Sequence, residues 1–166
     1  MREIPLSDED KRMYMKQLLK ALAHMSKSGI MHRDIKPDNI LLRNKVKPDA
    51  LLTDFGLATY CNEEFYLYPK CGTPGYVAPE IINKKADKEE LKTWHYSLVC
   101  DIFSLGCTFF FLLTLRQLFY SPNTKETIEL NKKCEIDFNC KDLQKQDPKG
   151  NKNTDILVYI KRLFKC

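Results

Sequence analysis

The most constraining feature of the sequence is an uncharged apolar segment in its second half. Residues Ile102 to Leu115, with the sequence IFSLGCTFFFLLTL, contain no charged side chain and lie between Asp101 and Arg116. The segment is too short to cross a bilayer, because a membrane-spanning helix takes roughly 20 residues. A helix of this length that is apolar on every side is usually enclosed by other elements of a globular fold. The segment therefore predicts a buried helix, over about residues 97–118, and excludes a membrane span.

Composition and charge agree with a globular chain. Of its 166 residues, 43% are hydrophobic and 30% are charged, which suits one ordinary domain and is too apolar for a disordered chain. The net charge of +5 is modest, and acidic residues separate most of the basic ones. A basic surface for nucleic acid is therefore not indicated, and we expect no nucleic-acid partner.

Cysteine usage predicts the compartment. The seven cysteines form no CxxC pair, and their number is odd, so neither a zinc site nor a disulfide framework is indicated. The first twelve residues, MREIPLSDEDKR, lack the apolar core of a signal peptide. These observations predict an intracellular, cytoplasmic protein with reduced thiols.

The first helix has clear signals at both ends. Ser7 followed by Asp10 matches the spacing of a capping box, and Gly29 marks the end. An apolar stripe of helical period lies between them, formed by Met15, Leu18, Leu19, Leu22 and Met25. We expect a helix over about residues 8–27.

The elements after this helix are less regular. Two short apolar runs, Ile40–Leu42 and Ala50–Thr53, are separated by polar turn residues and predict a hairpin of two strands. Residues 56–80 show no period and predict a long loop, which in a compact domain is often functional. Helices are predicted near residues 125–133 and 154–164.

Polar residues suited to phosphate chemistry lie beside the predicted hairpin. Asp34, Lys36 and Asn39 precede its first strand, and Asp54 follows its second strand. Carboxylate and amide oxygens are ligands that Mg²⁺ accepts, and Mg²⁺ usually takes only one or two protein carboxylates together with phosphate oxygens. The pattern is that of a site for a divalent cation and a polyanion.

Four motifs together resemble the eukaryotic protein kinase family. They are HRDIKPDN at residues 32–39, DFG at 54–56, CGTPGYVAPE at 71–80 and DIFSLG at 101–106, in the order and at the spacings of that family. We call residues 32–39 the catalytic loop and residues 71–80 the docking segment. The resemblance implies a mainly α fold with a short β-hairpin, like the large lobe of a protein kinase, and an enzyme that uses ATP and Mg²⁺.

The resemblance also implies roles for residues of the catalytic loop and of DFG. Asp34 would orient the substrate hydroxyl and accept its proton, and Lys36 would stabilise the γ-phosphate. Asn39 and Asp54 would hold Mg²⁺, and Leu41 would pack against the adenine ring.

Other positions would support the site and set its specificity. His32 and Phe55 would stack on each other, and Asp101 would hydrogen-bond the backbone of the catalytic loop. Thr73 would contact Asp34 and Lys36. Lys36 together with Thr73 is similar to the serine/threonine type, so the implied partner is a protein substrate with a Ser or Thr hydroxyl.

Part of the family's pattern is missing from the sequence. A glycine-rich phosphate loop and a strand lysine do not occur ahead of the first helix, so residues 1–166 resemble a partial kinase domain, truncated at both ends, whose small lobe is absent. Such a chain by itself is expected to show negligible phosphotransfer. Glu80 is then expected to be a buried carboxylate without its arginine partner. The alternative to an enzyme is a non-catalytic, kinase-like binding module.

Two further expectations concern regulation and subfamily. Arg33 precedes Asp34, as in kinases in which an activation-loop phosphate neutralises that arginine. The usual phosphorylated position corresponds to about Pro69. The hydroxyls available nearby belong to Thr59, Tyr60, Tyr66 and Tyr68, and the acidic pair Glu63–Glu64 could substitute by charge. The sequence LGCTFFFLLTLRQLFYSP is similar to the calmodulin-dependent kinase group.

Overall fold

The computed structural model describes residues 6–43, 49–85 and 94–138, together with Glu90, Leu143 and Phe164. Within this part of the chain it contains four α-helices, one short 3₁₀ helix and two two-stranded sheets. The prediction of a mainly α fold with a β-hairpin is confirmed, and the second small sheet was not predicted. The predicted helix at 154–164 lies outside the described residues, apart from Phe164.

Helix α1, Asp8–Lys27, begins and ends where its sequence signals predict. The Ser7 hydroxyl accepts the backbone N–H of Asp10 at 3.1 Å, and the Asp10 carboxylate accepts the backbone N–H of Ser7 at 3.2 Å. This reciprocal pair satisfies two backbone donors that the first turn would otherwise leave unpaired. The buried face consists of Tyr14, Met15, Leu18, Leu22 and Met25.

The predicted hairpin is confirmed. Strand β2, Ile40–Arg43, pairs antiparallel with strand β3, Asp49–Leu52, with Leu41 opposite Leu51. A side-chain hydrogen bond fastens the hairpin to α1, because the backbone N–H of Ala50 donates to Gln17 Oε1 at 2.8 Å. The hairpin thus follows the catalytic loop directly and is held against the first helix.

A second two-stranded sheet lies next to the catalytic loop. Strand β1, Ile30–Met31, pairs antiparallel with strand β4, Thr59–Tyr60, inside the stretch predicted as a loop. The pairing continues in a bond from the backbone N–H of Cys61 to the carbonyl of Gly29 at 2.8 Å. It brings the start of the catalytic loop close to the residues that follow DFG.

The uncharged segment forms the predicted buried helix. Helix α3, Val99–Thr114, is shorter than predicted because Leu115 adopts a left-handed conformation with φ of 58° and ends it. Phe109 and Leu105 are fully buried in a core shared with Met15 and Leu18 of α1. No helix in the described part of the chain is long and apolar enough to span a membrane.

Two further helices flank the docking segment. Helix α2, Pro79–Asn83, begins at the last two residues of the docking segment. Helix α4, Thr124–Lys133, packs against α2 and matches the prediction at 125–133. The Asn123 side chain caps α4 by accepting the backbone N–H of Lys125 at 2.9 Å.

The described cysteines carry free thiols in two different environments. Cys100 and Cys107 lie on the buried helix α3, and burial raises the pKa of both thiols well above the ordinary value. Cys61, Cys71 and Cys134 are only partly buried. The buried pair is therefore unreactive in the folded chain, because the thiolate is the reactive form of cysteine.

Candidate active site

The catalytic loop is fastened to helix α3 by Asp101. The Asp101 carboxylate is 2% exposed and accepts the backbone N–H groups of His32 at 2.7 Å and of Arg33 at 2.8 Å. Burial raises the pKa of Asp101, and these two hydrogen bonds oppose that rise. The contact that the resemblance implied for Asp101 is therefore present in the structure.

Asp34 lies at the centre of a compact polar cluster. Its carboxylate accepts the Thr73 hydroxyl at 2.6 Å and contacts the Lys36 ammonium at 2.9 Å. The Lys36 ammonium also donates to Thr73 Oγ1 at 2.7 Å, and the Asn39 amide donates to Asp34 Oδ2 at 3.1 Å. The fold thus brings together four residues that the sequence places up to 39 positions apart.

The electrostatics of the cluster keep Asp34 ionised. Burial alone would raise the pKa of Asp34, but hydrogen bonds from Thr73, Lys36 and Asn39 and the positive charge of Lys36 outweigh burial. The net effect is a pKa below the ordinary value for aspartate. At neutral pH the group is a carboxylate that can accept a proton.

The docking segment approaches the catalytic loop closely at Gly72. Its φ is +109°, and a Cβ at this position would lie 2.9 Å from the carbonyl oxygen of Arg33. Only glycine permits both this conformation and this approach without strain. The neighbouring Thr73 can therefore reach Asp34.

Asn39 and Asp54 lie near each other and offer oxygen ligands. The backbone N–H of Thr53 donates to the Asn39 carbonyl at 2.9 Å, so the two strands of the hairpin bring both residues to one end. Asp54 is exposed, with φ of 59°, and its Oδ1 accepts the backbone N–H of Gly56 at 3.2 Å. The Asn39 amide nitrogen is engaged by Asp34, which leaves the amide oxygen as an acceptor.

This donor set fits magnesium better than a transition metal. One carboxylate and one amide oxygen match the small number of protein ligands that Mg²⁺ takes beside phosphate. Among the described residues, no group of three or more His, Cys, Asp or Glu side chains is placed to hold a metal by itself.

The remaining expected contacts involve apolar and aromatic groups. The rings of His32 and Phe55 lie 4.8 Å apart, and His32 Nε2 is 3.0 Å from the carbonyl oxygen of Thr53. Leu41 on β2 is half exposed, so its side chain is accessible to a ligand.

The expectation for Glu80 is wrong with respect to burial. Glu80 lies in the first turn of α2 and is exposed to solvent. A solvated carboxylate carries no large desolvation penalty, so the anticipated cost of a buried charge does not arise. Its N-terminal position on a helix is one that suits a negative charge.

Asn131 of α4 was not singled out from the sequence, although it holds the docking segment. It is fully buried, accepts the backbone N–H of Gly75 at 3.0 Å and donates to the carbonyl of Val77 at 2.9 Å. A single asparagine in a lysine-rich helix gives no pattern that would reveal this role. Only the contact of α4 with the docking segment shows it.

Comparison with known proteins identifies the family of the chain. The family model described as the protein kinase domain matches residues 1–165. The chain belongs to the eukaryotic protein kinase family, of the serine/threonine type. It is 38% identical over 138 residues to the probable serine/threonine-protein kinase 2 of Plasmodium falciparum, covering 82% of this chain and 25% of that protein.

Two other related kinases show similar coverage. A probable myosin light chain kinase of Dictyostelium discoideum is 31% identical, over 80% of this chain and 41% of its own length. The calcium/calmodulin-dependent protein kinase type IV of Mus musculus is 33% identical, over 89% of this chain and 33% of its own length. The chain therefore spans between about a quarter and two-fifths of the length of these kinases.

Replacing Thr73 by valine tests the electrostatic origin of the low Asp34 pKa in this chain. Valine keeps the shape of threonine but removes the hydroxyl donor, so we expect the pKa of Asp34 to rise. A depressed folded-state pKa contributes stability above the unfolded-state pKa and loses it as the pH falls through the folded-state value. In Thr73→Val that loss therefore begins at the same pH, near the unfolded-state pKa, but it is smaller and is complete at a higher pH than in the unaltered chain.

The measurement is an NMR titration of the Asp34 carboxyl, followed by urea unfolding as a function of acidic pH. Thr59→Val, on strand β4, is the matched control and should leave the Asp34 titration unchanged. An unchanged Asp34 pKa in Thr73→Val would show that the hydroxyl does not stabilise the carboxylate.

Proposed function

We propose that this chain forms the large C-terminal lobe of a serine/threonine protein kinase, which transfers the γ-phosphate of ATP to a Ser or Thr hydroxyl of a protein substrate. The observation that supports it most is the mutual hydrogen bonding of Asp34, Lys36 and Thr73. The setting that we infer is intracellular and cytoplasmic, where thiols stay reduced.

Asp34 is the proposed base for the substrate hydroxyl. Its lowered pKa keeps the carboxylate ionised, and it can orient the hydroxyl and accept its proton during transfer. Lys36, 2.9 Å from that carboxylate, is placed to stabilise the negative charge that spreads over the transferring group. Thr73 lies between them and would connect the bound peptide to the reacting atoms.

Asn39 and Asp54 are the proposed Mg²⁺ ligands, and Leu41 is the proposed contact for the adenine ring. When bound, Mg²⁺ neutralises the charge of the nucleotide phosphates. The half-exposed Leu41 side chain offers the apolar surface that a flat, weakly polar ring requires.

The proposal is tested by Asp34→Asn in protein expressed from the whole coding sequence. Asparagine keeps the size of the side chain but cannot accept the proton, so phosphate transfer from labelled ATP to a basic protein should fall by roughly 10²- to 10⁴-fold. The control is Asp38→Asn, which removes an exposed carboxylate of the same loop and should leave transfer unchanged. Transfer that is as fast in Asp34→Asn as in the control would refute the role of Asp34.

A second candidate function, a non-catalytic binding module, is favoured by one observation. The docking segment, α2 and α4 line an open cavity of about 310 Å³ with the apolar side chains of Val77, Ile81, Ile82 and Ile128. A peptide could bind there without any nucleotide. The same experiment separates the two functions, since a pure binding module would retain a bound partner and show no transfer in either variant.

A further inference from the structure

Arg33 is a buried cation of the catalytic loop. It is 6% exposed and lies directly before Asp34, with a left-handed φ of 68° that is strained for a residue other than glycine. Removing a guanidinium from water is also costly unless its N–H groups find acceptors. The surroundings of Arg33 must therefore compensate for both costs.

Among the described residues, the hydrogen-bond acceptors of the guanidinium are neutral. Nε donates to the carbonyl of Leu57 at 2.6 Å, and Nη1 donates to the carbonyl of Tyr68 at 2.9 Å and to the hydroxyl of Tyr96 at 3.2 Å. The guanidinium carbon lies 5.3 Å from the centre of the Tyr66 ring, within the range of a cation–π contact. Arg33 is thereby tied to both ends of the segment 57–68 through the carbonyls of Leu57 and Tyr68.

Tyr96 connects this network to the docking segment. It is 8% exposed, and its hydroxyl lies 3.8 Å from the sulfur of Cys71, two residues before Thr73. The Tyr66 hydroxyl lies 3.2 Å from the carbonyl of Cys61 and 3.4 Å from the carbonyl of Tyr96. The rings of Tyr66 and Tyr96 pack edge to face, with centres 5.2 Å apart.

The positions of the tyrosine hydroxyls argue against a phosphate as the group that holds residues 57–68 in place. Tyr66 is only 3% exposed and packs over Arg33, so a phosphate on Tyr66 would require its ring to leave that position. Tyr60 and Tyr68 are half exposed, and Arg33 binds the backbone carbonyl of Tyr68 rather than its side chain.

We propose that Tyr96 is a positioning residue. Together with Tyr66 it holds Arg33, and Arg33 in turn holds residues 57–73 so that Thr73 contacts Asp34. This arrangement requires no phosphate on residues 57–73. The expected effect of Tyr96 on catalysis rests on the proposed function. Its expected effect on the order of residues 57–73 is independent of that function.

The test compares Tyr96→Phe with Tyr68→Phe by hydrogen exchange and mass spectrometry. Phenylalanine at position 96 keeps the ring contacts and removes only the hydroxyl that accepts from Arg33. Loss of one hydrogen bond to a charged group should speed exchange of residues 57–73 by roughly tenfold. Tyr68→Phe removes a half-exposed hydroxyl from the same segment and should exchange like the unaltered chain, as should unaltered chain treated with phosphatase.

A kinetic measurement complements the exchange data. In protein expressed from the whole coding sequence, Tyr96→Phe should raise KM for the protein substrate more than it lowers kcat, and leave KM for ATP unchanged. Absence of phosphotransfer in the unaltered protein would overturn the proposed function but not the exchange result.

Three results would overturn the positioning role. The first is that residues 57–73 of Tyr96→Phe exchange as slowly as those of the unaltered chain. The second is that exchange in Tyr96→Phe rises uniformly over the whole chain. The third is that residues 57–73 of the unaltered chain lose their protection from exchange after phosphatase treatment. The last would show that a phosphate supplies the order.

Discussion

Asp101→Ala is expected to lower the free energy of unfolding by about 2–6 kcal/mol, because it leaves two buried backbone N–H groups without an acceptor, at about 1–3 kcal/mol for each. These donors belong to His32 and Arg33, which Asp101 holds at 2.7 and 2.8 Å. Arg33 also loses the contact that helps to keep its left-handed conformation. Since small domains are stable by only about 5–15 kcal/mol, this one substitution removes much of the total.

Urea unfolding followed by circular dichroism measures the effect. Asp101→Asn should lie between Asp101→Ala and the unaltered chain, because asparagine retains one acceptor oxygen. Asp38→Ala, which removes an exposed carboxylate of the catalytic loop, should change stability by less than about 0.5 kcal/mol. Equal stability of Asp101→Ala and Asp38→Ala would mean that Asp101 does not hold the loop.

Phe109→Ala is expected to destabilise the chain by about 3–5 kcal/mol, the usual cost of removing a fully buried aromatic side chain. Phe109 is 0% exposed and lies in the core between α1 and α3, beside Leu105 and Leu113. The loss combines burial of the ring with the cavity that its neighbours cannot fill.

The matched control for this change is Phe65→Ala in the loop after β4, where the ring is 61% exposed. Thermal unfolding of both variants should show a large drop in Tm for Phe109→Ala and almost none for Phe65→Ala. A similar Tm for the two would contradict the assignment of α3 as the centre of the core.

Local signals in the sequence predicted the longer elements correctly. Ser7 and Gly29 mark the ends of α1, and the uncharged run marks α3, because capping and burial leave their trace in neighbouring residues. Strands β1 and β4 were not predicted. Each has two residues, and its partner lies almost 30 positions away, so no alternation of polar and apolar residues could develop.

The candidate site was predicted unevenly for a similar reason. Asp34, Lys36, Asn39 and Thr73 are defined by side chains that a motif can record, and the fold brings them into contact. The partners of Arg33 include main-chain carbonyls, which every residue has, so no residue type in the sequence could predict them. Glu80 was misjudged because burial depends on what packs around α2 and cannot be deduced from a motif.

The two thiol environments make cysteine labelling a measure of how the folded chain opens. A thiol reagent reaches Cys61, Cys71 and Cys134 through small fluctuations near the surface, whereas Cys107 on the buried helix reacts only when α3 leaves its packing. The order in which the five described thiols are labelled therefore separates local opening around the docking segment from cooperative unfolding.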